Sequence, residues 1–247
     1  MMEPGEIHIG CVGFGPAHSS SHYFEDLSAV ELQQSFVQPP RAATLKRWRA
    51  SAPPDFAFVV KAWQLVTHEP SSPTYRQLTH GGSLDGTGHF RDSEVVRQAL
   101  ARTLEVAELL EAPAVLFESP TSFSPSALNR RALAVFFERC PRDPRRRLIW
   151  NPGGLWDESD VLTICSDLDL VPCFDPFAED ASGRPLPPSP SLYLRPRGLG
   201  MNGFSEQQLR WLLEQLEQRP HSYCVFGSAL LFDDARRMQR TLEGELA

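Results

Sequence analysis

Lys61 stands directly after the apolar run Phe56-Ala57-Phe58-Val59-Val60, and His68 follows seven residues later in a Thr-His pair. A β-branched, aromatic run of that kind forms a buried strand. The lysine at its end either snorkels to solvent on its aliphatic stem or is held beside the core by carboxylates. Glu31, Glu118 and Asp175 lie on or at the ends of other apolar runs and are placed to hold it. An amine beside carboxylates, with an imidazole that titrates near neutrality, is equipment for moving protons. Lys61, His68, Glu31, Glu118 and Asp175 are therefore the candidate catalytic set. Glu31, His68, Glu118 and Asp175 could also supply the three ligands a metal needs. No close-spaced H-E-x-x-H motif occurs, and Lys61 is there to pair with the carboxylates. Ion pairing is the more ordinary role, and no metal or other cofactor is expected.

Arg195, Arg197, Gly227 and Ser228 suggest a second kind of chemistry. An arginine fork takes two oxygens of a carboxylate or phosphate, and a glycine lets backbone amides approach the anion. Arg195 and Arg197 are two residues apart, so on a strand both would face the same way. Gln33, Ser35, Trp63 and Asn151 flank the same strand ends and are expected to line the pocket. Ser35 and Ser228 lack the strand–turn–helix glycine context of a nucleophilic serine. Five cysteines are scattered with no C-x-x-C pair, which reads as reduced thiols packed in a core.

These residues need a frame that gathers strand ends. Apolar runs at 7–13, 29–36, 56–62, 114–119, 147–150, 170–175, 191–197 and 222–228 read as eight strands. Amphipathic stretches at 44–51, 93–110, 126–140, 157–166, 205–218 and 232–242 read as helices, with Ser93 as an N-cap and Ser205 with Gln208 as a capping box. Strands alternating with helices give parallel pairing with crossovers. Eight such units in 247 residues predict an α/β fold, a single (β/α)8 TIM barrel spanning 1–247 as one domain. An open doubly wound sheet would carry a Gly-rich phosphate fingerprint after its first strand, and here Pro16 interrupts it. The first βα connection is shortened, so an irregular element is expected over 14–27. The Pro-rich stretch 177–190 predicts a sixth helix that is short or missing. The Gly-rich segment 81–90, after the third strand, is expected to be mobile and to border the strand ends. In such a barrel the C-terminal strand ends form the site, which is where the residues above fall.

A net charge of −7 argues against a general nucleic-acid binder. The triple Arg145-Arg146-Arg147 precedes a strand and reads as a solvated surface run. Neither a leader pattern nor a run of membrane-spanning length is seen, so a cytoplasmic protein without a membrane partner is expected. The oligomeric state is not legible.

The chain resembles the DUF72, or YecE-like, family over nearly its whole length. The resemblance is carried by VELQQSF, RWRASAPPDFAFVVKAWQLVTHEPSSPTY and HFRDSEVVRQA, continues in LFESPTSFSPS, LWDES, DLVPCFDPF and SLYLRPRG, and ends in VFGSALLFDDARR. It implies a TIM barrel of unassigned activity, with Glu31, Lys61, His68, Asp175 and Arg195 at the positions of the family pocket. Other pocket positions depart from the family pattern. Ser35-Phe36-Val37 stands for T-F-Y, Phe117-Glu118 for F-Q, and Trp150-Asn151-Pro152-Gly153 for W-E-P-R. Arg195-Pro196-Arg197-Gly198 stands for R-L-H-G, and Phe226-Gly227-Ser228 for F-N-N. The expected function is an enzyme acting on a small anionic metabolite, phosphorylated or carboxylated, at the C-terminal mouth. The alternatives are a non-catalytic binding barrel that has lost the family's pocket residues, and a metal-dependent nucleic-acid-processing barrel, against which the charge counts.

Overall fold

The computed structural model describes residues 7–15, 20–79, 82–179, 183–198, 201–219 and 221–244. In chain order the elements begin with β1 (Ile7–Val12), α1 (Ser20–Asp26), β2 (Ala29–Leu32), α2 (Gln33–Val37), α3 (Ala42–Ser51) and β3 (Ala57–Lys61). Next come α4 (Gln64–Thr67), a 3-10 turn at Pro73–Gln77, α5 (Glu94–Leu109), β4 (Ala114–Glu118), α6 (Ala127–Arg139) and β5 (Arg147–Asn151). The chain ends with α7 (Glu158–Asp167), β6 (Val171–Phe174), β7 (Tyr193–Leu194), α8 (Glu206–Glu217), β8 (Ser222–Phe226) and α9 (Leu231–Leu242). The eight strands pair in sequence order and close into a barrel. Every pair for which a register is resolved is parallel. This is the TIM-barrel architecture that the alternation predicts. Among the described residues no helix is long and apolar enough to cross a membrane.

By internal contacts the chain divides into two compact units. One comprises Met1–Glu31, Ala50–Ala57 and Cys173–Ala247, and the other Leu32–Arg49 and Phe58–Pro172.

In the first unit β1 pairs with β2 and β8, with Gly10 opposite both Ala29 and Val225. Gly10 cannot be replaced: a Cβ there would lie 2.0 Å from the Ala29 carbonyl oxygen. The connection after β1 is short, as expected, but it holds the two-turn helix α1 instead of an irregular segment. Tyr23 fixes it. Its hydroxyl accepts from the Cys11 amide and donates to the Ala29 carbonyl, both at 2.8 Å, and the ring is fully buried against Phe24 and Phe56. Between β6 and β7 there is no helix among the described residues, as the prolines predict. β7 is only two residues long. The capping box at Ser205 and Gln208 is present and starts α8.

In the second unit β3, β4 and β5 pair through Lys61↔Leu116 and Glu118↔Asn151. The outward-facing Phe117 packs on Phe136 and Phe137 of α6, and Phe90 joins the same cluster. Burying each of these rings stabilises the unit by about 2–3 kcal/mol. The segment expected to be mobile is anchored at its C-terminal end, 87–90. Gly81 lies outside the described residues, but Gly88, His89 and Phe90 donate backbone bonds to Leu65, Thr67 and Val66 at 2.8, 3.0 and 3.0 Å. Thr87 and Phe90 are buried. Gly88 has a positive φ of 78°, and a Cβ on it would meet the His68 carbonyl at 2.4 Å.

Strand two also ends earlier than its pattern suggests. The run 29–36 reads as one strand, yet the chain turns into α2 after Leu32. The Ser35 hydroxyl lies 2.8 Å from both the Leu32 and the Lys61 carbonyl oxygens. A serine that bonds back to the carbonyl three residues earlier favours a helical turn over an extended chain.

Candidate functional site

Two groups of polar side chains lie at the C-terminal ends of strands, one in each unit. In the second unit the buried strand β3 delivers Lys61, whose Nζ lies 2.8 Å from Glu118 Oε1. The Glu118↔Asn151 register places those two side chains side by side, and Asn151 Nδ2 donates to Glu118 Oε2 at 3.0 Å. Lys61 also lies 3.4 Å from Gln33 Oε1 and 4.2 Å from the centre of the Phe36 ring, a cation–π distance. The lysine side chain is 5% exposed and the glutamate 23%, so the carboxylate is the open side of the pair. Lys61 is thus held by a charge, an amide oxygen and a ring face.

His68 packs edge-on against Phe36, with ring centres 4.9 Å apart, and its Nδ1 lies 2.8 Å from Thr67 Oγ1. Tyr75 OH donates to its carbonyl at 2.8 Å. Burial pulls the imidazole pKa from 6.5 down to about 4; nearby Glu118 opposes this, while Lys61 and His89 add to it. His68 is therefore neutral at physiological pH and able to accept a proton. Trp63 belongs elsewhere. It lines a cavity of about 390 Å³ with Leu65, Ser93, Val95 and Gln98, a set that includes none of the Lys61 group.

In the first unit Glu31 is fully buried. Arg195 Nη2 donates to one of its oxygens and Tyr193 OH to the other, both at 2.8 Å. Burial, then the charge of Glu31, pushes the Tyr193 pKa well above 10, so it stays a donor. Asp175 accepts from the amides of Phe177 at 3.0 Å and Arg197 at 3.3 Å. Burial raises its pKa against those bonds and against the charges of Arg197 and Arg184. Arg195 is buried but Arg197 is exposed, so the two do not share a face. β7 ends at Leu194, and Pro196, which cannot donate to a ladder, stands between the two arginines, so strand alternation does not carry through to Arg197. Gly227 donates its amide to the Pro196 carbonyl at 2.9 Å and packs close to the Arg197 stem. Ser228 Oγ donates to the buried Asp234 at 2.8 Å.

The structure thus brings Lys61, Glu118, Asn151, Gln33, Ser35 and His68 together in one unit, and Glu31, Arg195, Asp175, Arg197 and Gly227 lie along strand ends of the other. Sequence reasoning missed Tyr193 and Phe36. Tyr193 precedes Arg195 by two and could have been found from strand alternation; Phe36 was concealed by the turn at α2. Among the described residues no group of three or more His, Cys, Asp and Glu side chains is placed to hold a metal ion. All five cysteines are buried free thiols, and burial pushes Cys11 and Cys165 up to about 12, which leaves them protonated.

A family model described as "Protein of unknown function DUF72" matches residues 14–244. Among solved structures, a DUF72 family protein of Enterococcus faecalis V583 superposes with a TM-score of 0.67 at 17% identity, over 98% of this chain and 99% of that one. Another, from Thermotoga maritima MSB8, gives 0.66 at 18% identity over 96% and 99%. Endonuclease IV of Thermus thermophilus gives 0.52 at 15% identity over 97% and 100%. At these identities the likeness is one of fold. No curated protein matches the chain.

Proposed function

The chain belongs to the DUF72 family, and we propose that it is an enzyme acting on a small anionic metabolite at the C-terminal ends of its strands. The observation that carries this reading is the pair of a buried Lys61 and a half-buried Glu118, braced by Asn151 and set beside a neutral His68. As a structural device the pair is poor, because a buried ion pair is often no more stabilising than apolar side chains of the same size. Its place at strand C-termini is where this fold carries chemistry, and a strongly shifted histidine is a mark of functional sites. Glu118 and His68 would exchange protons with the substrate, and Lys61, 2.8 Å from Glu118, would meet it at the same point.

The anionic character is read from the first unit alone, where Arg197 is exposed, stands close to Gly227, and its charge acts on Asp175. The test is a thermal-shift screen of the purified protein with phosphorylated, carboxylated, neutral and cationic metabolites. An anion at a hundred times its dissociation constant should stabilise the fold by about 2.7 kcal/mol. Arg197→Ala should reduce that shift. Stabilisation by neutral or cationic compounds alone would overturn the reading.

A further inference from the structure

The chain contains 24 lysine and arginine residues, and only two of them, Lys46 and Lys61, are lysines. Lys46 is exposed on α3; Lys61 is buried at the end of β3. Everywhere else this sequence meets its need for a cation with arginine, including the other buried pairing described above, Arg195 with Glu31. Arginine is also the better residue for that task, because its fork matches a carboxylate and it is less strongly hydrated. Position 61 therefore calls for something an ammonium can do and a guanidinium cannot. An ammonium can give up a proton and become a nucleophilic amine; a guanidinium remains protonated under all ordinary conditions.

The surroundings suit that use. A proton acceptor, Glu118 Oε1, lies 2.8 Å from Nζ, and the Glu118 side chain is the more exposed of the two at 23%. The Lys61 side chain is 5% exposed, with the Phe36 ring 4.2 Å from Nζ, so the nitrogen is poorly hydrated. Asn151 fixes the orientation of Glu118.

We propose that Lys61 forms an iminium with the carbonyl group of its substrate, so that the substrate class is an aldehyde, ketone or 2-oxo acid that also carries an anionic group. This rests on the reading of the Lys61 group as the active site. The ammonium of Lys61 passes one proton to Glu118. The free amine attacks the carbonyl carbon, forming the C–N bond, and the π pair of the C=O bond moves to oxygen. That oxygen takes the proton from Glu118 and then a second proton from nitrogen, and leaves as water. The sum is one ammonium and one carbonyl giving one iminium and one water, with no change of charge and no oxidant or reductant.

The test traps the adduct. Wild type, Lys61→Arg and Glu118→Gln are incubated with pyruvate or with glyceraldehyde 3-phosphate in sodium cyanoborohydride, which reduces the iminium to a stable secondary amine, and modified peptides are quantified by mass spectrometry. Lys46 serves as the internal control for indiscriminate amine chemistry. In wild type, Lys61 should carry about tenfold more adduct than Lys46 with at least one probe, as expected of an amine with a proton acceptor held beside it. Glu118→Gln, its fold checked by circular dichroism, should lose the Lys61 adduct and keep that on Lys46. Labelling of Lys61 no greater than Lys46 with both probes overturns the proposal, and undiminished trapping in Glu118→Gln overturns the proton-transfer step. The two readings fail separately. Inorganic phosphate in the thermal-shift assay needs no carbonyl, so a phosphate shift without a Lys61 adduct removes the iminium and leaves the anion site standing.

Discussion

Lowering the pH should destabilise this protein through His68, by an amount that can be worked out. His68 is 6% exposed, and its folded pKa is held at about 4 against 6.5 for the free side chain, chiefly by burial. Between those values the unfolded chain takes up a proton that the folded chain refuses. The folded pKa is the lower one, so the stabilising contribution is complete above pH 6.5 and is lost as the pH falls through 6.5 toward 4. At pH 4.5 the loss comes to roughly 2.5 kcal/mol, with 1.36 kcal/mol per pKa unit as the conversion. Urea denaturation of wild type and His68→Gln at pH 7 and pH 4.5 isolates the effect, because other titrating groups act equally in both. Wild type should lose about 2.5 kcal/mol more than the variant across that interval. Equal losses in the two proteins would refute the assignment of a buried, neutral imidazole.

Removing the carboxylate from the Lys61 pair leaves an uncompensated charge. Glu118→Ala should cost roughly 2–3 kcal/mol by chemical denaturation, below the range for a fully buried pair because the carboxylate is partly open. Adding Lys61→Met should recover part of that loss, and a double variant no more stable than Glu118→Ala alone would count against the pairing. Glu31→Ala removes the carboxylate that both Arg195 and Tyr193 bond in a buried site, and should cost about 3–5 kcal/mol in the same assay; a loss under about 1 kcal/mol would show that the triad is dispensable. Gly88→Ala forces a Cβ into the His68 carbonyl at positive φ, and should cost about 2–4 kcal/mol and lower the melting temperature. An unchanged melting temperature would show that the 87–90 segment yields readily.

The Lys61 group was legible where local physics and tertiary context agree. The apolar run 56–60 left little choice but a buried strand, and a lysine at its end needed a carboxylate within reach; Glu118 supplies it. The elements were misread where one side chain outweighs a pattern. Val30, Leu32 and Phe36 suggest strand alternation through residue 36, but the Ser35 hydroxyl pulls the chain into a turn and presents Phe36 to Lys61. Alternation from Arg195 to Arg197 fails because β7 ends at Leu194 and Pro196 stands between the two arginines. The glycines of 81–90 suggest freedom, yet Phe90 is fixed by four other phenylalanines, contacts too distant in sequence for local composition to reveal.

The most direct test of the central claim is a crystal structure of the protein soaked with the anion that gives the largest thermal shift. The account predicts the ligand at strand C-termini, touching Lys61 or Glu118, or held by Arg197. A ligand bound away from every strand C-terminus, with the Lys61–Glu118 pair undisturbed, would contradict it.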